Sequence, residues 1–150
     1  MVIKMETYSI NEVIDYLSLH KIFSAKSASR SYKKFHNMKV YAEYSAYQLW
    51  MKYIDNLACV NCQRKANFFK LHKHQEIKDV YFFQLYCIDQ NMSAILMTKD
   101  HIIPKSKGGK NNIDNYQLFC RICNKAKRDF DPESLECLEK LANIRRNVKN

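Results

Sequence analysis

Asp100-His101-Ile-Ile-Pro104-Lys-Ser-Lys-Gly108-Gly109, followed by Asn115-Tyr-Gln-Leu-Phe-Cys120-Arg-Ile-Cys123-Asn124, is the stretch that decides the fold of this chain. The 150 residues contain two Gly and two Pro, and Pro104, Gly108 and Gly109 all fall within it. A chain so poor in glycine places both of its residues tolerant of positive φ in one turn. The run SAILMTKDHII reads as a strand leading into that turn. A helix is expected to begin near Cys120 and run through NKAKRD. Asn124 then projects from the first turn of a helix whose N-terminus favours phosphate. Asp and His alternate along a strand and point to opposite sides, so strand termination at Ile102–Pro104 is required if both serve one site.

Outward from there, Cys120 and Cys123 form one CxxC pair and Cys59-Val-Asn-Cys62 another. Each knuckle brings two thiolates to one ion, and two knuckles complete tetrahedral Zn²⁺ coordination. The interval of 57 residues between the pairs is long for a simple treble-clef or ribbon zinc site. Further structure is therefore expected inside the clamp. Cys87, in an apolar strand, and Cys137, in the last helix, read as small hydrophobes.

These elements together resemble the HNH endonucleases of the His-Me finger (ββα-metal) superfamily. Their pattern is a DHIxPxxxGG strand and turn, an Asn shortly before a CxxC, and an Asn or His directly after it. The resemblance covers about residues 57–130 and is nearest to the four-cysteine zinc subset, with its phage junction-resolving and homing-type nucleases. It implies a metal-dependent endonuclease with DNA as partner, structural Zn²⁺ on Cys59, Cys62, Cys120 and Cys123, and catalytic Mg²⁺ or Mn²⁺. Independently of the name, phosphodiester hydrolysis needs a base, a counter-charge for the phosphate and help for the departing 3′ oxygen. A neutral imidazole takes a proton from water near pH 7, which suits His101 as general base. Asp100 and Asn124 offer hard oxygens to a Mg²⁺-like ion that keeps waters and binds phosphate. By resemblance Asn115 is the middle Asn, tying the turn so that a main-chain carbonyl orients His101. Asn111 and Asn112 lie nearby, and spacing to Cys120 favours Asn115. Lys105, Lys107, Lys110, Arg121, Lys125, Lys127 and Arg128 are expected to grip the nucleic-acid backbone.

The chain departs from the family in two places. Residues 67–90 lengthen the Cys62–Asp100 interval and read as a β-hairpin that widens the core or contacts DNA. Lys127 stands one helical turn beyond Asn124, where an acid would add a metal ligand. That shifts weight to water and phosphate as ligands.

Farther out, Ser9 and Glu12 form a capping box for an amphipathic helix near 10–20. Residues 41–56 suit a second helix with Tyr44, Tyr47, Met51 and Ile54 on its core face. Asp131-Pro132 reads as the start of a last helix whose buried stripe is Leu135, Leu138, Leu141, Ile144 and Val148. No acidic residue lies between Asp15 and Glu43, where Lys21, Lys26, Arg30, Lys33, Lys34 and Lys39 accumulate. That stretch suits either a phosphate-facing surface or a solvated basic face. The expected class is α+β: a ββα-metal finger nested in a four-cysteine zinc site, with a helical N-terminal region, an inserted β-hairpin and a C-terminal helix. Two parts are expected, a basic region at 1–56 for DNA contact or oligomerisation and a zinc-stabilised nuclease domain at 57–150.

Lys and Arg outnumber Asp and Glu by 25 to 15, a net charge of +10 that favours a polyanion, nucleic acid before membrane surface. No run approaches the length of a membrane span, and MVIKMETYSINEV lacks a signal-peptide core. A cytoplasmic setting is expected, the host cytoplasm if the chain is phage-encoded. A homodimer is left open. Two other classes share these residues: an RNase using the same site, and a non-catalytic zinc module that binds nucleic acid.

Overall fold

The structure is a computed structural model, and it describes residues 6–20 and 34–149. Lys21, Lys26, Arg30 and Lys33 of the basic stretch lie outside the described residues. A mixed sheet runs β1 (Thr7–Tyr8), β4 (Ala66–Lys73), β5 (Val80–Ile88), β3 (Met38–Tyr41) and β2 (Lys34–Phe35), with β6 (Ala94–His101) on β5 and β7 (Tyr116–Cys120) on β6. The sheet forks at β5. Its Val80–Phe82 end pairs in parallel with β3, and its Tyr86–Ile88 end pairs antiparallel with β6. β4 and β5 form the hairpin expected over 67–90. Because β1 adds to β4 and β3 adds to β5, residues on both sides of position 56 contribute to one sheet.

α1 (Ile10–His20) starts where the capping box places it, with Ser9 Oγ accepting from Glu12 N at 3.2 Å. It buries Val13, Ile14 and Leu17 in a core shared with Phe69, Phe83 and Leu85 from the inner face of the β4–β5 hairpin. α2 (Tyr44–Lys52) contributes Trp50, edge-on to Phe69 at 4.8 Å. Of the expected core face of α2, Tyr47 packs against the core and the rest does not. Tyr44, Met51 and Ile54 are exposed, whereas Leu49 and Trp50 are buried. The Trp50 ring, with its large apolar area, takes the interior position against Phe69.

α3 (Arg121–Lys127) follows β7, and α4 (Leu135–Lys149) packs on α3. α4 begins later than Asp131-Pro132 suggests, because Asp131 Oδ1 caps a turn at Glu133 and Ser134 Oγ accepts from Cys137 N. Its buried stripe holds from Leu141 on, with Ile144 and Val148 packed against the core, and differs in the first turns. Cys137 and Leu141 face the core, while Leu135 and Leu138 are exposed. The architecture is α+β with β6, β7 and α3 as the ββα unit and α4 as the C-terminal helix. No helix among the described residues is long and apolar enough to cross a membrane.

Candidate active site and metal centre

Cys59 and Cys62 sit on a knuckle before β4, Cys120 ends β7, and Cys123 lies in the first turn of α3. All four are buried, and their sulfurs lie within 4.8 Å of one another. The Cys62–Cys120 Sγ separation is 3.7 Å. Tetrahedral Zn²⁺ with bonds near 2.3 Å requires sulfurs about 3.8 Å apart, so the cage fits zinc. Four thiolates around a divalent ion carry excess negative charge, and the chain answers it. Arg64 Nη1 reaches Cys62 Sγ at 3.7 Å and Cys120 Sγ at 4.0 Å, and Asn61 Nδ2 donates to Cys123 Sγ at 3.3 Å. Hydrogen bonds from the other sulfurs, Cys123 first, pull the Cys120 thiol far below its ordinary range, while the Cys59 thiol is pushed up chiefly by Cys120. The knuckle is fixed to the finger where Val60 N donates to Leu118 O at 2.9 Å.

β6 and β7 pair through His101 and Tyr116, and Ile102 N makes a last rung to Asn115 O. Beyond it the chain leaves the sheet in a turn of 3-10 helix at Lys105–Lys107, with Gly108 at φ 84°. Gly109 is required for a different reason. A Cβ there would lie 1.8 Å from Ile103 O. Asn115 closes this loop: its Oδ1 accepts from Ile103 N at 2.9 Å, and its Nδ2 donates to Ile103 O and Lys110 O, each at 3.0 Å. Asn112 Oδ1 accepts from Asn115 N at 2.9 Å. Asn111 Oδ1 lies 2.8 Å from His101 Nε2. The three neighbouring asparagines thus take three different positions. The ring partner among the described residues is the Asn111 side chain, not the main-chain carbonyl anticipated for it. The ring also stands edge-on to Tyr116 at 5.0 Å.

Asp100 and His101 leave β6 on opposite faces, yet both line one open depression of about 320 Å³ with Lys99, Lys105, Asn124, Arg128 and Asp129. Strand termination at His101 makes this possible. Asn124 Nδ2 donates to Thr98 Oγ1 at 2.8 Å, and its Oδ1 is an acceptor. Asp100 Oδ2 accepts from Gln117 Nε2 at 2.7 Å and lies 3.1 Å from Lys127 Nζ. Lys127 also donates to Asp100 Oδ1 at 3.4 Å and to His101 O at 2.6 Å. A carboxylate offers about four lone-pair sites. Three are engaged among the described residues, and Asp100 and Asn124 bring to the depression oxygen donors of the hard type that Mg²⁺ takes.

Lys127 corrects the sequence reading. Expected among the phosphate-gripping cations, it is 1% exposed and lies beneath Asp100 and the strand end. Its position three residues after Asn124 turns it inward from α3, and periodicity alone gives no warning of a lysine on a buried face. Arg121 and Lys125 are exposed on α3, Arg128 just past its end, and Lys105, Lys107 and Lys110 on the loop. Asp129 is a residue the sequence reading did not single out; no spacing rule links it to Asp100, although both line the depression. On the other side of β6, burial pushes the Glu43 carboxyl up, but Lys99 at 2.8 Å and Ser45 outweigh that and hold it below the usual carboxylate range.

A strand ending in Asp-His, a glycine loop closed by an asparagine, a second strand and a helix, all clamped by four cysteines, make a ββα finger with a cage that fits zinc. In agreement, the model of the HNH endonuclease family matches residues 85–130. That match spans β5 through α3 and includes Asp100, His101, Asn115 and the second cysteine pair. Residues 85–130 are thus similar to the HNH endonucleases. Neither the curated proteins nor the solved structures compared with the chain contain a match.

Proposed function

We propose that the chain is a metal-dependent endonuclease that hydrolyses DNA phosphodiester bonds and leaves 5′-phosphate and 3′-hydroxyl ends. The observation that carries this reading is the meeting of Asp100, His101 and Asn124 in one open depression beside Lys105 and Arg128. His101 takes the proton of the attacking water. Asn111 holds one ring nitrogen, and the other keeps the lone pair that proton transfer needs. Asp100 and Asn124 hold Mg²⁺ or Mn²⁺, which when bound supplies counter-charge to the phosphate and the departing oxygen. Asn115 acts on His101 through the loop it closes. Arg128, Lys125, Arg121 and the loop lysines Lys105, Lys107 and Lys110 hold phosphates. Residues 1–56 supply further DNA contact or an oligomer interface to the 57–150 nuclease part. The reduced cysteine cage suits a cytoplasmic setting.

The experiment is cleavage of labelled DNA across a Mg²⁺ and Mn²⁺ titration, with end-group analysis of products and labelled RNA in parallel. Asn124→Ala is expected to raise the Mg²⁺ concentration for half-maximal cutting by about tenfold or more. An unchanged titration removes Asn124 as a ligand. RNA cut in preference to DNA turns the reading to an RNase. A second reading, a non-catalytic zinc module, draws on the Lys127 ammonium set against Asp100, which offsets the negative charge a metal would seek. It requires zinc content and salt-sensitive binding with no turnover under any divalent metal.

A further inference from the structure

The outer face of the β4–β5 hairpin is built against the usual rule for an open sheet, whose solvent side is polar. Three directly opposed pairs stand on it: Phe68 with Tyr86, Lys70 with Gln84, and His72 with Phe82. The alternate residues Phe69, Phe83, Leu85 and Cys87 face the core. The Phe68 and Tyr86 rings are within 10° of parallel at 5.8 Å, and His72 lies 24° from Tyr86 at 5.9 Å. Lys70 Nζ stands 5.5 Å from the Phe68 ring and 5.2 Å from the Tyr86 ring. His72 Nε2 and Tyr86 Oη are 2.9 Å apart. Burial first and Lys70 second hold the His72 ring below its ordinary pKa, so it stays a neutral flat surface near pH 7. The result is a row of partly exposed π-faces carrying one fixed cation.

The His72, Gln84 and Tyr86 part of this face connects to the depression at His101 through two grooves with shared lining, and Phe68 stands beside them, paired with Tyr86. A groove of about 520 Å³ is lined by His72, Gln84, Tyr86 and Leu96 on the sheet side and by Arg121 and Lys125 on α3. The next, about 640 Å³, shares Leu96, Arg121 and Lys125 with it and adds Asn124 and Arg128. Asn124 and Arg128 then line the depression itself. Among the described residues, no carboxylate lines either groove. Arg121 and Lys125 share one side of α3 at i, i+4 spacing, about 6 Å apart along its axis, and Arg128 follows just past the helix end at φ 51°.

Resting on the nuclease reading above, we propose that this channel binds an unpaired, single-stranded DNA segment adjoining the scissile phosphate, with bases stacked on Phe68 and Tyr86 and phosphates held by Arg121, Lys125 and Arg128. Ring faces recognise bases whose own faces are free, and a duplex hides those faces in its stack. A charge row beside an aromatic row is the arrangement that tracks a single strand. The substrate is therefore DNA with a single-stranded part, such as a flap, a bulge or a branch, and not a continuous duplex.

The test is fluorescence anisotropy with His101→Ala protein, which separates binding from cutting. The probes are a labelled oligothymidylate, a blunt duplex of equal length and the matching RNA oligomer. The single DNA strand should bind about tenfold more tightly than the duplex. Phe68→Ala and Tyr86→Ala should each cost the single strand about tenfold and leave the duplex within twofold, with zinc content unchanged. Tyr86→Trp keeps a ring in place, and the indole emission it adds should be quenched when the single strand binds. Equal affinity for strand and duplex overturns the proposal, as does unquenched emission from the Tyr86→Trp variant with strand bound. Tenfold preference for the RNA overturns the DNA assignment. None of these results bears on whether His101 cuts, and failure of cleavage leaves the stacking result standing.

Discussion

The Asp100–Lys127 pair shows how one residue bears on both stability and chemistry. Both side chains are almost fully buried, and the ammonium also fixes the carbonyl of His101, so one cation sets the carboxylate and the backbone that carries the base. Removing one partner of a buried pair leaves an uncompensated charge. Lys127→Met is expected to lower folding stability by about 3–5 kcal/mol, read as a shift in urea midpoint. An unchanged midpoint would mean that Asp100 is not held by Lys127. His72 supplies a pH test. Its folded-state pKa lies below the unfolded value of about 6.5, because burial and then Lys70 disfavour the charged ring. As pH falls through about 6.5 the unfolded chain takes up the proton first, so stability drops, and the loss levels off below the folded value. His72→Gln should therefore show a shallower fall in melting temperature between neutral and mildly acidic pH than the parent chain.

At the scale of elements, the loop between β6 and β7 is what turns two residues on opposite strand faces toward one depression. Its closure depends on Asn115 and on a Gly109 with no room for a side chain. Gly109→Ala should cost about 2 kcal/mol and lower cleavage, while Gly108→Ala, where the surroundings are open, pays only for its positive φ. A smaller loss at Gly109 than at Gly108, by thermal denaturation, would contradict this. Much of the element was legible because its signals are local: Asp100-His101, the glycine turn and each CxxC lie within a few residues of one another. What escaped the sequence was decided by packing across long separations. Tyr44, Met51 and Ile54 form as good a helical stripe as Leu49 and Trp50 do, and only the core contributed by β4 and β5 selects between them. Lys127 reads as one more surface cation until β6 is laid across α3. Asn111 holds the His101 ring through a loop contact that no spacing rule encodes.

For the molecule as a whole, the four cysteines join a knuckle before β4 to the β7–α3 corner across 57 residues of intervening chain. Metal affinity at such a cage is folding free energy, because the unfolded chain has no preformed site. Cys59→Ser or Cys120→Ser should lose zinc and unfold the β6–β7–α3 unit, seen together as missing metal and altered circular dichroism. Asp100→Asn should keep the zinc cage and abolish cleavage, at a stability cost of the same order as Lys127→Met because it leaves the Lys127 ammonium buried and unpaired. The most direct test of the account is single-turnover cleavage of branched DNA in Mg²⁺ by the parent chain and by His101→Ala, with zinc stoichiometry measured on both. The account predicts equal zinc and a rate lowered by about 10²–10⁴-fold in the variant. Cutting at the parental rate by zinc-loaded His101→Ala would contradict it.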